Sequence, residues 1–216
     1  MLRGKLAAKV MTMASCAVGL LLLSQPTHPA EQTLVVKPLA EKKIDQLPSG
    51  PLFWRIENFP TMAQAQAAAG PTSLAAESEG KVWLFTLGAT GGASPGGTKV
   101  AEIGPLPSVV AKNTKPPAHY LLRINEASGP PDSRTSVHTH PGSETFYVLA
   151  GETSQRTPHG VIHVGAGQSA VGRGPDTPMQ VWSSGKTELH SLVMFVVDAG
   201  RPFSSPAEFH ASDDAK

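Results

Sequence analysis

Only one cysteine, Cys16, occurs in the 216 residues, and it lies ahead of anything that reads as folded. A thiol nucleophile, redox sulfur chemistry and a disulfide framework are therefore excluded for the body of the protein, although an oxidising compartment would permit disulfides. Aromatic residues are scarce at 6%, as are charged ones at 16%. Charge of one sign is missing too. The 18 Lys and Arg face 17 Asp and Glu, a formal net charge of +1, so no strong field draws the chain to nucleic acid or to an anionic membrane surface. No internal repeat of roughly 20 to 50 residues is visible, which argues against a duplicated architecture.

Long hydrophobic runs are absent as well. Val10 to Leu23 is uncharged and mostly apolar behind a basic start of Arg3, Lys5 and Lys9, but it is shorter than the roughly 20 residues that a bilayer span needs. This pattern reads as a cleaved export signal over residues 1–30. His28, where a small residue is usual, makes cleavage after Ala30 a weak match. Cys16 sits within the apolar run and not at its end, the placement of an ordinary signal and not of a lipid attachment site. The expectation is a periplasmic or secreted protein without stable membrane insertion.

What the chain has is Gly (21), Pro (20) and 40% hydrophobic residues, the composition of a loop-rich fold of short strands around one core. Residues 31–97 read as an N-terminal extension that packs on a barrel. Within it Leu52, Phe53, Trp54 and Ile56 form an extended piece, Thr61–Ala69 and Thr72–Glu79 two short helices, and Lys81–Leu87 a strand. Residues 98–205 form the barrel. Its strand candidates are Thr98–Ile103, His119–Asn125, Arg134–His140, Glu144–Ala150, Gly160–Val164, Ser169–Gly172, Met179–Ser183 and Glu188–Asp198, divided by clusters of turn residues. Residues 206–216 read as a flexible tail.

The chemistry concentrates in His138-Thr139-His140-Pro141-Gly142-Ser143-Glu144. Residues two apart on a strand share a face, so His138 and His140 present both imidazoles to one side. Pro141-Gly142 turns the chain, and Glu144 begins the next strand with the inward parity of Phe146, Val148 and Ala150. Two imidazoles and a carboxylate make a mixed nitrogen and oxygen site suited to a first-row divalent ion, with coordination positions left open. A carboxylate aimed into an apolar lumen also needs a partner, which a cation provides. An isolated His-x-His pair is more often a pair of exposed loop histidines, with an acid at a strand start simply solvated.

The segment from His138 to Gly151 resembles the first motif of the cupin superfamily: His-x-His, three residues, Glu, six residues, Gly. The resemblance covers about residues 115 to 200 and implies an all-β, double-stranded β-helix or jelly-roll barrel of about six to eight strands, with a metal in its mouth. It implies His138, His140 and Glu144 as ligands of a divalent transition metal, with Fe, Mn, Zn, Ni and Cu not distinguished. Two departures stand out. Asp132 occupies the place of a usual glycine six residues before the first histidine, with Gly129 close by. The second motif, matched by Gly167 to Gln180, lacks the histidine that supplies the fourth ligand. Met179 stands nearest that place, with the parity of Val181 and so of core packing, and Gln180 beside it is the possible additional ligand. Arg134 shares the parity of the histidines and is a candidate contact for an anionic substrate, although an Arg at a strand start more often faces solvent. His163 and His190 are weaker replacements for the missing ligand. Tyr147 has the opposite parity to Glu144 and packs outside the lumen.

Three functions remain open: a metal-dependent, oxygenase-like enzyme acting on a small molecule, a non-catalytic barrel that binds or senses a small ligand, and a structural module with a vestigial lumen. Catalytic residues are not identified. Partners are expected to be a small-molecule ligand or substrate and a second copy in a homodimer, with the N-terminal extension closing an edge of the barrel or swapping onto the neighbour.

Overall fold

The computed structural model describes residues 32–112 and 114–210. The expected export signal, Cys16 included, lies outside the described residues. Along the chain the elements are β1 (Val35–Ile44), β2 (Phe53–Phe59), α1 (Met62–Ala68), β3 (Ser73–Ser78), β4 (Lys81–Gly88), β5 (Thr98–Ile103) and β6 (Tyr120–Gly129). They continue with β7 (His138–Thr139), β8 (Gly142–Ala150), β9 (Glu152–Thr157), β10 (Gly160–Gly165), β11 (Ser169–Val171), β12 (Gln180–Ser183), β13 (Leu189–Asp198) and β14 (Ser205–Pro206). No helix among the described residues is long and apolar enough to cross a membrane.

A five-stranded antiparallel sheet, in the order β1-β6-β13-β8-β11, forms one wall of the barrel, and a three-stranded sheet, β10-β9-β12, forms the other. Their inner faces meet in one core that includes Ala127 on β6, Phe146 and Val148 on β8, Val164 on β10, Val181 on β12, and Val193, Phe195 and Val197 on β13. The third main sheet, β3-β4-β2-β5, packs on the outer face of the five-stranded one. There Trp54, Ile56, Trp83 and Phe85 meet Leu122, Ile124, Leu192, Met194 and Val196. The central strand β13 is therefore apolar at almost every position. From Leu192 to Val197 its residues alternate between the two cores, as side chains two apart must. Tyr147, on the outer face of β8, packs edge-on against Trp83 at 6.5 Å, as its parity requires.

Several boundaries differ from the sequence reading. Thr72–Glu79 is not a helix but β3. Leu74 and Ala76, two apart, are buried in the second core, and pairing with β4 overrides the helix propensity of Ala and Glu. Glu79 (φ 52°) and Gly80 (φ 67°) then form the tight turn back into β4, with the two consecutive positive φ values of a type I′ hairpin. Residues 31–97, expected as an extension that packs on the barrel, divide between two sheets. β1 pairs along its length with β6 and is the edge of the barrel wall, while β5, placed with the barrel from sequence, pairs with β2 in the second sheet. Pro38 obscured β1. It sits where the register slips between Pro38 and Ala40, at the bulge of an edge strand, where a residue without an N–H is tolerated. Of the expected tail, Pro206 belongs to β14, which pairs with β7, residues 207–210 lie within the described structure, and the rest lies outside the described residues.

Candidate functional site

His138 and Thr139 form the short strand β7, with His140 directly after it, and the segment is held from both sides. Met179 exchanges two backbone hydrogen bonds with His138, at 2.9 and 2.8 Å, and Asp176 donates its N–H to the His140 carbonyl at 2.8 Å. Both imidazoles line a cavity of about 260 Å³ together with Glu144, Asn125, Phe146, Val193, Phe195 and Phe203. The two rings stand edge to face with centroids 4.9 Å apart. Glu144 lies on the lumen face of β8, opposite Phe195 of β13, and is 3% exposed. Its Oε2 is 3.8 Å from His140 Nε2.

The backbone fixes the tautomer of both rings. His138 Nδ1 is 2.8 Å from the Ser136 carbonyl, and His140 Nδ1 is 2.7 Å from the Phe203 carbonyl. A carbonyl only accepts, so each Nδ1 carries the hydrogen and each Nε2 presents a bare lone pair when the ring is neutral. Neutral rings are favoured here. Burial holds His138 below the usual imidazole range. Burial also lowers His140 to about 4, with the charges of His138 and Arg123 adding to it and the Phe203 bond opposing. Burial pushes Glu144 up to about 8, against the hydrogen bond that Gln155 donates to it. A fully enclosed acid of this kind is ionised at neutral pH only with a cation beside it.

Donor types, tautomers and desolvation thus suit a divalent transition ion. The set is not closed as the side chains stand, and among the described residues no three His, Cys, Asp or Glu side chains are grouped tightly enough to hold an ion. Gln155, on β9 across the lumen, holds Glu144 Oε1 through its amide and also reaches Met179 Sδ at 3.3 Å. Met179, 2% exposed, packs beside that amide.

The other sequence candidates lie elsewhere. Gln180 is not brought to the cluster. It pairs with Arg156, while its neighbour Val181 pairs with Gln155, so strand parity turns Gln180 out of the lumen, and its amide donates to the Thr135 carbonyl at 3.0 Å. Arg134 bridges Thr33 and Trp182 at the barrel margin, its Nε donates to the Asp132 carbonyl at 3.3 Å, and it does not line the cavity. His163 bonds Ser154 Oγ at 2.6 Å on the outside of the three-stranded sheet, and His190 faces Glu79 at 3.0 Å. Asp132, the departure from the first motif, adopts φ 68°, a left-handed conformation in which Asp replaces Gly at modest cost.

Four contributors escaped the sequence reading. Gln155 lies on β9, Glu-Thr-Ser-Gln-Arg-Thr, which has no apolar alternation to reveal it. Gly172 admits Glu144, because a Cβ there would stand 2.8 Å from Glu144 Cγ. Phe203 supplies the carbonyl that holds His140, and its ring packs at 4.7 Å from the imidazole. Asn125 is 1% exposed and, with Arg123, sits on the parity of β6 opposite to Tyr120, Leu122 and Ile124. Two polar residues two apart in the middle of a strand were the available signal.

No family model matches the chain, and no curated protein does. Among solved structures it is similar to an uncharacterised conserved protein with a double-stranded beta-helix domain from Klebsiella pneumoniae, at 23% identity and a TM-score of 0.35, covering 41% of this chain and 76% of that one. It is also similar to a cupin-like protein from Thermotoga maritima, at 15% identity and a TM-score of 0.36, covering 40% of this chain and 64% of the other. An oxalate oxidase matches at 22% identity and a TM-score of 0.33, covering 39% of this chain and 45% of the other. The chain thus spans less than two thirds of the latter two. Likenesses at this level carry nothing beyond themselves, whereas the strand order and the lumen-facing parity are the chain's own. Two facing antiparallel walls, with the His-x-His segment and the following Glu directed between them, make this an all-β fold, in keeping with the barrel that the resemblance of His138 to Gly151 to the first cupin motif implies.

Proposed function

We propose that the lumen binds one divalent transition metal ion on His138, His140 and Glu144 and takes up a small molecule beside it. The observation that carries this reading is the pair of backbone carbonyls, Ser136 and Phe203, that hold both imidazoles with Nε2 bare. A histidine kept in the fold for packing alone has no need of a specified tautomer, whereas a metal ligand does. The ion, when bound, supplies Lewis acidity or redox chemistry at its open positions. The chain's own contribution is to exclude water with Phe146, Phe195 and Phe203, to keep both imidazoles neutral by burial, and to hold the acid of Glu144 through Gln155. The open positions favour turnover of the small molecule in an oxygenase-like reaction. The alternative, binding without turnover, is favoured by the missing fourth histidine, whose neighbourhood is filled by Met179 and Gln155. Export to the periplasm or beyond completes the proposal.

The test is elemental analysis of protein purified without a histidine tag, beside a His138→Ala/His140→Ala variant. About one equivalent of a transition metal, lost in the variant, is the expected result. Folded protein that neither contains nor takes up metal overturns the metal reading.

A further inference from the structure

We propose that Asn125 is the specificity residue of the lumen, donating through its amide to an acceptor oxygen at one end of a small, mainly apolar ligand. This rests on the small-molecule lumen proposed above but not on the metal. Arg123 fixes which end of the amide faces inward. Its Nε donates to Asn125 Oδ1 at 2.8 Å, and because arginine carries no acceptor, the atom that meets it must be the oxygen. Arg123 is itself anchored, by Glu41 at 2.8 Å and by the face of Phe203, 4.2 Å from its guanidinium carbon. The amide cannot flip without setting two donors against each other.

Asn125 Nδ2 is thereby turned the other way, in a side chain that is 1% exposed and lines the cavity. With Oδ1 taken by Arg123, Nδ2 is the end of the amide left to meet a ligand in that cavity. A ligand oxygen that accepts from Nδ2 there makes its hydrogen bond away from bulk water, where such a bond discriminates most strongly. The register sets the ligand's length. Asn125 pairs with Val193, which pairs with Phe146, so Asn125 and the strand bearing Glu144 are two strand spacings apart, about 10 Å. Between them the surface is apolar, made by Val193 and Phe195 of β13 with Phe146 beside Glu144. At about 260 Å³ the cavity is at the small end of ligand sites. The class is therefore a compact molecule with an apolar body and a carboxylate or carbonyl oxygen directed at Asn125. Arg123 acts on the ligand only by positioning Asn125.

Calorimetric titration with benzoate, benzamide and toluene tests this, because the three share one apolar body and differ in the acceptor. Wild-type protein is expected to bind benzoate and benzamide at least about tenfold more tightly than toluene, the value of one hydrogen bond to a buried donor. Asn125→Leu is expected to erase that difference. Asn125→Asp keeps the contact with Arg123 but offers an acceptor in place of a donor, and is expected to reject benzoate while retaining benzamide, whose own amide donates. A merely structural Asn125 would not exchange the preference in this way. Equal binding of all three probes by the wild type, no binding of any, or an unchanged order in both variants overturns the proposal. The same titrations in the His138→Ala/His140→Ala variant separate the two readings: an acceptor preference that persists there upholds Asn125 even if the metal reading has failed.

Discussion

The two faces of the five-stranded sheet use the same strands in the same register for opposite ends. At the centre of the outer face, Leu122 and Ile124 of β6, Leu192, Met194 and Val196 of β13, and Tyr147 and Leu149 of β8 meet the second sheet in an apolar core. One residue along, the inner face carries Arg123 and Asn125, Val193 and Phe195, and Glu144 and Phe146. Burial is nearly complete on both sides, yet ionisable and amide groups are concentrated on one. The lesson is a division of labour by parity: stability is drawn from one face, and the desolvation cost of the polar cluster is carried by the other.

The largest effect expected from breaking this division falls on the apolar side. Met194 is fully buried between the sheets, and Met194→Ala should cost about 2–5 kcal/mol in denaturant unfolding while the metal content per folded molecule stays unchanged. A parallel loss of metal at full stability would show that the two faces are not separable.

That parity could be read for the site and only partly for the fold. His138, His140 and Glu144 announce themselves because their spacing and the Pro141-Gly142 turn place three candidate ligands on one side. The strands of the second half are legible because turn residues divide them. What stayed hidden has physical causes. Thr153 and Gln155 are polar residues buried on an inner face, so hydrophobic alternation is silent about β9. β3 is written in helix-favouring residues and becomes a strand only because β4 lies beside it. The carbonyl of Phe203 is a backbone atom, which no side-chain pattern can reveal.

A second prediction sharpens the comparison through pH, in metal-free protein prepared with a chelator. Glu144 rises from an ordinary 4.5 to about 8, so across that range the folded state keeps a proton that the unfolded chain has lost, and stability falls as pH rises. His140 moves from 6.5 down to about 4. There the unfolded chain binds the extra proton, and stability rises with pH. The two oppose each other between 4.5 and 6.5. From 6.5 to about 8 the Glu144 effect stands alone, and unfolding measurements should show a decline that Glu144→Gln flattens. A decline that persists in the variant would place its origin elsewhere.

The smallest effect concerns the segment that follows β13. Arg201 grips Asp176 with two hydrogen bonds, at 3.0 and 2.6 Å, and so ties the stretch leading to Phe203 to the loop whose Asp176 N–H holds His140. Both partners are substantially exposed, so Arg201→Ala should change stability by no more than about 1 kcal/mol. Metal affinity, measured by competition with a chelator, should nonetheless fall by about tenfold, the low end of the effect of residues that orient ligands. Unchanged affinity would reduce the pair to surface decoration.

The bond from His140 to the Phe203 carbonyl closes a loop of 63 residues, and it sets an order of events. A ribosome completes the His-x-His segment long before it reaches Phe203, so a growing chain carries the ligand without the group that aims it. Ion capture in the proposed geometry then belongs to the finished, folded protein and not to synthesis. For a chain that folds only after export, the metal would be chosen by what is available where folding ends, whatever the cytoplasm holds.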